Sequence, residues 1–144
     1  MKDWAATSGL LDVPGYSLDM IGWDFPFLSP ELKNVYGLRG YVSACVIPEG
    51  FTPKCDFGAE IAWQEAGKYA VITITDPFKA AFELIPNAYK KILTYLDQNG
   101  IKGNVGGTEL SCFERVYEKD GICYMDVHIA IDAMAKVGDI VTTF

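Results

Sequence analysis

The stretch "LSCFERVYEKDGICYMDVHIAI", Leu110 to Ile131, consists of two alternating runs around Asp120-Gly121. Asp and Gly tolerate the positive φ angles of a two-residue type I′ turn, so the pair predicts a β-hairpin. The turn sets the register: Lys119 faces Ile122, Tyr117 faces Tyr124, Arg115 faces Asp126, and Glu114 faces Val127. Successive side chains point to opposite faces of a strand. One predicted face carries Leu110, Cys112, Glu114 and Val116 opposite Met125, Val127, Ile129 and Ile131. The other carries Ser111, Phe113, Arg115 and Tyr117 opposite Tyr124, Asp126, His128 and Ala130. The first face is apolar except for Glu114. Burying an unpaired carboxylate is costly, so a partner for it is expected. Three other arrangements stay open: a turn one residue longer, a bulge that puts Glu114 in water, or a pairing with Arg39 or a lysine.

Outward from the hairpin, "YSLDMIGWDF", "LRGYVSACVIPE" and "KYAVITIT" alternate with period two and are rich in β-branched and aromatic residues, which predicts strands. "AEIAWQEA" is read as a further strand. "PNAYKKILTYLDQNG" is helical, with Ile85, Ala88, Tyr89, Ile92, Leu93 and Leu96 on one face, Pro86 in the first turn and Gly100 as the left-handed cap. "DPFKAAFEL" suits a separate first turn with Asp76 as cap, because Pro86 argues against one unbroken helix. "LSPELKNVYG" holds a short turn, and "PEGFTPKCDFG" is a loop. "MKDWAATSGLL" suits a short helical turn ending at Gly9, and the tail segment "DIVTTF" reads as a strand. The 144 residues suit one domain, 1–144, of α+β type with an antiparallel sheet.

Composition narrows the function classes. The net charge of −7 and the scatter of the basic residues argue against direct nucleic-acid binding, which needs a basic stripe. No apolar run is long enough to span a bilayer, and the start lacks the pattern of a secretory signal, so a cytoplasmic protein is expected. Cys45, Cys55, Cys112 and Cys123 show no CxxC spacing, so reduced thiols are expected and no metal site. No cofactor is expected. His128 is the single histidine, and a solvated or packed role is expected of it.

Taken in order, "IGWDFPFLSPELKNVYGLRGYVSACVIPEG", "GKYAVITI", "AFELIPNAYKKILTYLDQNG" and "CFERVYEKDGICYMDVHIAI" resemble the gyrase-inhibitor-like (GyrI-like) effector-binding domains. The resemblance runs from about Met20 to Ile131 and is greatest to stand-alone forms, some encoded in integron cassettes. It implies a curved antiparallel sheet or partial β-barrel built from two pseudo-symmetric strand-helix-strand-strand units. In AraC- and MerR-type multidrug-sensing regulators this domain is fused to a DNA-binding helix-turn-helix. No such domain is read here, so a separate protein partner carrying one is expected. The family's ligand-contacting glutamate falls in a Phe-Glu-x-Tyr element; Phe113-Glu114 matches its first half, and Val116 stands at the Tyr position. The family aromatic before the second helix falls on Phe82. The family also begins with a strand and a full helix, for which "MKDWAATSGLLDVPGYS" is too short, so the first unit is read as truncated.

The function implied is binding of lipophilic cationic small molecules in an aromatic cleft with a buried glutamate. Trp23, Phe25, Tyr41, Trp63, Phe78 and Phe82, with Glu114, are the candidate ligand-binding residues; Trp23, Phe25 and Phe27 share a strand face by alternation. A carboxylate with several aromatic faces attracts many cations without shape-specific hydrogen bonds. Two other classes are weighed. One is a small-molecule hydrolase in which Glu114 acts as general acid or base with a Tyr or Trp. The other is a protein-interaction inhibitor of gyrase or a transcription regulator, which an exposed apolar patch outside the cleft would favour. The tail is expected to close the sheet edge, which implies a monomer.

Overall fold

The computed structural model describes residues 1–25, 28–55, 57–104, 107–135 and 142–143. It is α+β, and its contacts divide it into two compact units, Met1–Ala62 and Trp63–Phe144.

The first unit opens with helix α1 (Lys2–Thr7) and a 3₁₀ turn at Leu10–Asp12. Leu10 is fully buried, with Ala5 and Ser8 beside it in sequence also buried. Strand β1 (Met20–Phe25) runs antiparallel to β2 (Gly40–Cys45), with Trp23 opposite Val42 and Asp24 opposite Tyr41. Between them, the short turn expected at "LSPELKNVYG" is helix α2 (Pro30–Asn34). Ser29 accepts a hydrogen bond from the Leu32 N–H at 3.2 Å, and Pro30 occupies the first turn, where no N–H is needed. The "PEGFTPKCDFG" segment is a loop in its described residues; its Lys54 N–H donates to the Ser8 carbonyl at 2.9 Å.

The second unit contains β3 (Lys68–Thr75), a 3₁₀ turn at Pro77–Ala80, helix α3 (Ala81–Gln98), β4 (Cys112–Lys119), β5 (Ile122–Ile131) and β6 (Thr142–Thr143). Asp120 and Gly121 both take positive φ, 54° and 77°, as a type I′ turn requires. The hairpin register follows: Lys119 with Ile122, Arg115 with Asp126, Glu114 with Val127. β3 lies antiparallel on the other side of β5, and β6 is parallel to β3, pairing Ile72 with Thr142. The strands of this unit therefore stand in the order β4-β5-β3-β6, an open sheet and not a closed barrel. The expected tail strand is present at Thr142–Thr143; of "AKVGDIVTTF", residues 136–141 and 144 lie outside the described residues. Alternation sends Ile72, Ile74, Met125 and Val127 to one sheet face, where they pack against Ala88 and Ile92 of α3.

Several sequence expectations are corrected. "AEIAWQEA" forms no strand: residues 59–67 lack regular structure, and Trp63 is 86% exposed. Alternation alone does not make a strand; a neighbour must accept its backbone groups, and none pairs there among the described residues. The second correction is that α3 runs unbroken through Pro86. Pro86 sits in the second turn, so it removes one bond, to the Phe82 carbonyl, and it does so on an exposed side of the helix. Asp76 precedes the 3₁₀ turn as expected, but with left-handed φ and without a side-chain cap bond. Leu93 also departs from the expected apolar face and is 52% exposed. No helix among the described residues is long and apolar enough to cross a membrane.

Candidate functional site

Glu114 points to the sheet face that α3 covers. Ile85, Ala88, Ile92 and Leu96 give α3 a stripe at helical spacing that includes the buried contacts to the sheet. Tyr89 lies on the flank of that stripe, and its phenol donates a hydrogen bond to Glu114 Oε1 at 3.0 Å. Both residues are half-buried. Burial pushes the Tyr89 phenol far above its ordinary range, and the nearby Glu114 charge and Cys112 push it the same way. Cys112 and Val116 flank Glu114 on this face and are themselves incompletely buried. The carboxylate at the hairpin's apolar face thus has a partner from the helix, which the sequence reading did not pair with it. Tyr89 was legible as a residue of the helix's apolar face; its contact with β4 depends on where the helix lies across the sheet.

The opposite face of the same strands is polar and aromatic. His128 stacks on Phe113 with ring centres 4.1 Å apart and planes 10° from parallel, and Tyr69 meets both rings edge-on. His128 is buried, so it is a packed histidine. Burial lowers its basicity, and Arg115 adds to the effect; Asp126 opposes it. Asp126, directly across from Arg115, accepts from the Thr73 hydroxyl at 2.6 Å and the Tyr117 hydroxyl at 3.4 Å. Tyr117 and Tyr124 stack across the hairpin, 5.5 Å apart. The four cysteines are free and partly buried, and three of them lie in strands.

The other candidate ligand residues are divided between the two units. In the second unit Trp63 is in the segment without regular structure, Phe78 is in the 3₁₀ turn, and Phe82 is at the start of α3; all three are exposed, Phe82 at 102%. Phe82 precedes Tyr89 by two helical turns, about 10 Å along the axis, so the two side chains leave α3 in nearly the same direction. In the first unit Trp23 and Tyr41 fall on opposite faces of the β1–β2 pair, since Trp23 shares a face with Val42. They do not share one wall. The backbone of Phe25 ends β1, while its side chain and all of Phe27 lie outside the described residues. Tyr41 has a local role as well. Its ring lies over Gly22, where a Cβ would come within 2.5 Å of it. A residue with any side chain at position 22 would displace that ring.

Comparisons with protein-family models, with curated proteins and with solved structures found no match.

Proposed function

We propose that the chain is a small-molecule-binding protein of the effector-binding kind, taking lipophilic cations at Glu114. The observation that carries this reading is the Glu114–Tyr89 pair: a half-buried carboxylate on an otherwise apolar sheet face, oriented by a phenol at the flank of a helix. A carboxylate in such surroundings attracts a desolvated cation more strongly than one in water does. Exposed Phe82, two turns along α3, offers an aromatic surface to the ligand's apolar part. The strand-helix-strand-strand order of β3, α3, β4 and β5, and the shorter strand-helix-strand order of the first unit, support a repeat whose first copy is truncated. This reading keeps the GyrI-like resemblance as its background and a stand-alone mode of action, with a separate protein reporting occupancy.

The test is a fluorescence binding screen of lipophilic cations against neutral compounds of the same shape. Glu114→Gln is expected to weaken the cations by about tenfold or more, about 1.4 kcal/mol, and to leave neutral analogues nearly unchanged. Equal loss for both classes would sink the proposal. Several unrelated cations should compete for the site.

The same pair favours a second reading, a glutamate-dependent hydrolase. Glu114 would act as general base on a water and Tyr89 would hold the carboxylate in position. The raised phenol keeps its proton at neutral pH, so Tyr89 orients and does not titrate. Turnover of reactive esters or epoxides that disappears in Glu114→Gln would establish this reading over simple binding.

A further inference from the structure

The first unit holds a cavity of about 460 Å³ beside β1, α2 and the connection into β2. Local sequence builds it. After α2 the chain turns at Gly37, whose left-handed φ of 62° is one that residues with a side chain rarely adopt. The Leu38 N–H then donates back to the Leu32 carbonyl at 2.9 Å, which holds the reversal in place. The connection thereby brings Leu38 and Arg39 to the cavity. There α2 contributes Lys33 and Asn34, β1 contributes Asp24, and Leu28 adds to the apolar part. A space of this volume, lined by a few polar groups and some apolar surface, suits a small molecule.

The charges of this lining decide what kind of molecule fits. Lys33 already has a partner within the chain. Asp24 and Arg39 are both exposed, and among the described residues no ion pair joins them to each other. One carboxylate and one guanidinium therefore share the cavity without meeting. A simple anion on Arg39 would be repelled by Asp24, and a simple cation on Asp24 would be repelled by Arg39 and Lys33. A ligand that carries both charges satisfies both groups. We propose that this cavity binds a small zwitterion, an α-amino acid with an apolar side chain. Its carboxylate lies on Arg39, whose planar fork matches a carboxylate with two parallel N–H donors. Its ammonium lies on Asp24, and its side chain lies against Leu28 and Leu38. Asn34 supplies an amide that donates to the carboxylate or accepts from the ammonium. Because the charged groups are exposed, each contact is weak, and the dissociation constant should be on the order of 0.1–1 mM.

The test is calorimetric titration of the whole chain with leucine, methionine and phenylalanine, and with the amide and the N-acetyl derivative of each. At least one free amino acid is expected to bind. Its amide lacks the carboxylate and its N-acetyl form lacks the ammonium, and each should bind at least tenfold more weakly. Arg39→Gln should abolish the preference over the amide and keep the preference over the N-acetyl form. Asp24→Asn should do the reverse. Both positions are exposed, so the circular dichroism of the parent should be kept. If a variant fails to fold, the comparison of derivatives on the parent chain decides. The proposal does not depend on any ligand at Glu114, and Glu114→Gln should bind the same amino acid as the parent does. No binding of the three amino acids at millimolar concentration overturns the proposal. So does binding indifferent to the loss of either charge, binding whose preferences survive in both variants, or binding lost in Glu114→Gln.

Discussion

Two of the antiparallel pairs of this molecule, β4–β5 and β1–β2, reach the same geometry by different means. β4 and β5 are joined by two residues, and their contacts are local in sequence. β1 and β2 are separated by a connection containing α2, and the exposed Tyr41 ring lies over Gly22 of that pair. The second unit is held by long aliphatic side chains, with Ile72, Ile74, Ile92, Met125 and Val127 buried together. Among the buried residues of the first are the small side chains of Ala5 and Ser8, beside Leu10. One pair is thus supported by a periodic apolar stripe and tolerates volume-conserving exchange. The other brings a tyrosine ring close over a glycine at one point.

The largest effect should come from the stripe. Ile92→Ala removes buried methyl groups between α3 and the sheet and should cost about 2–5 kcal/mol in urea unfolding. Val42→Ala, at a half-buried position on β2, should cost clearly less. Equal losses would mean that the first unit has a core as continuous as the second. Next comes the close approach. Gly22→Val must displace the Tyr41 ring and should cost about 1–3 kcal/mol. Tyr41→Ala in the same chain should recover much of that loss, and the double-mutant cycle measures the coupling. An additive cycle would show that position 22 resists a side chain for another reason.

Tyr89→Phe should follow, at about 1–3 kcal/mol, because it takes a donor from a half-buried carboxylate. It has a second signature in alkali. The folded chain holds the phenol's proton beyond the ordinary value of 10.0, whereas the unfolded chain releases it there. Stability contributed by the neutral phenol is present below that pH and is lost as pH rises above it. The alkaline limb of the stability curve should therefore be shallower in Tyr89→Phe. His128 gives the smallest and opposite effect. Its folded form resists protonation, so its contribution is present above the ordinary value of 6.5 and is lost as pH falls below it. His128→Phe keeps a ring against Phe113 and Tyr69 and should flatten the acid limb. An unchanged acid limb would mean that Asp126, which favours the charged ring, offsets burial and Arg115.

The hairpin from Leu110 to Ile131 was legible because each requirement lay within a few residues. Asp120-Gly121 supplied the two positive φ angles, and alternation then placed every side chain on its face. Helix α3 was legible from its stripe, apart from the start: Pro86 was read as a boundary, yet near a helix's beginning it forfeits only one hydrogen bond. The false strand at "AEIAWQEA" shows the limit of a local pattern, since pairing is decided by what lies alongside. For the candidate site, Glu114 was legible as the exception on an apolar face. Its hydrogen-bond partner was not, because Tyr89 is 25 residues away along the chain.

The amino-acid sequence by itself determined the turn, the register and faces of the β4–β5 hairpin, the apolar stripe of α3 and the anomaly at Glu114. These follow from φ preferences and from the fixed periods of strand and helix, which act over a few residues. Only the tertiary structure decided that Tyr89 reaches Glu114, that Trp23 and Tyr41 occupy opposite faces, that His128 is stacked on Phe113, and that Gly22 lies under a tyrosine ring. Those contacts join residues distant in sequence, and their geometry is set by how whole elements pack, which no local period encodes.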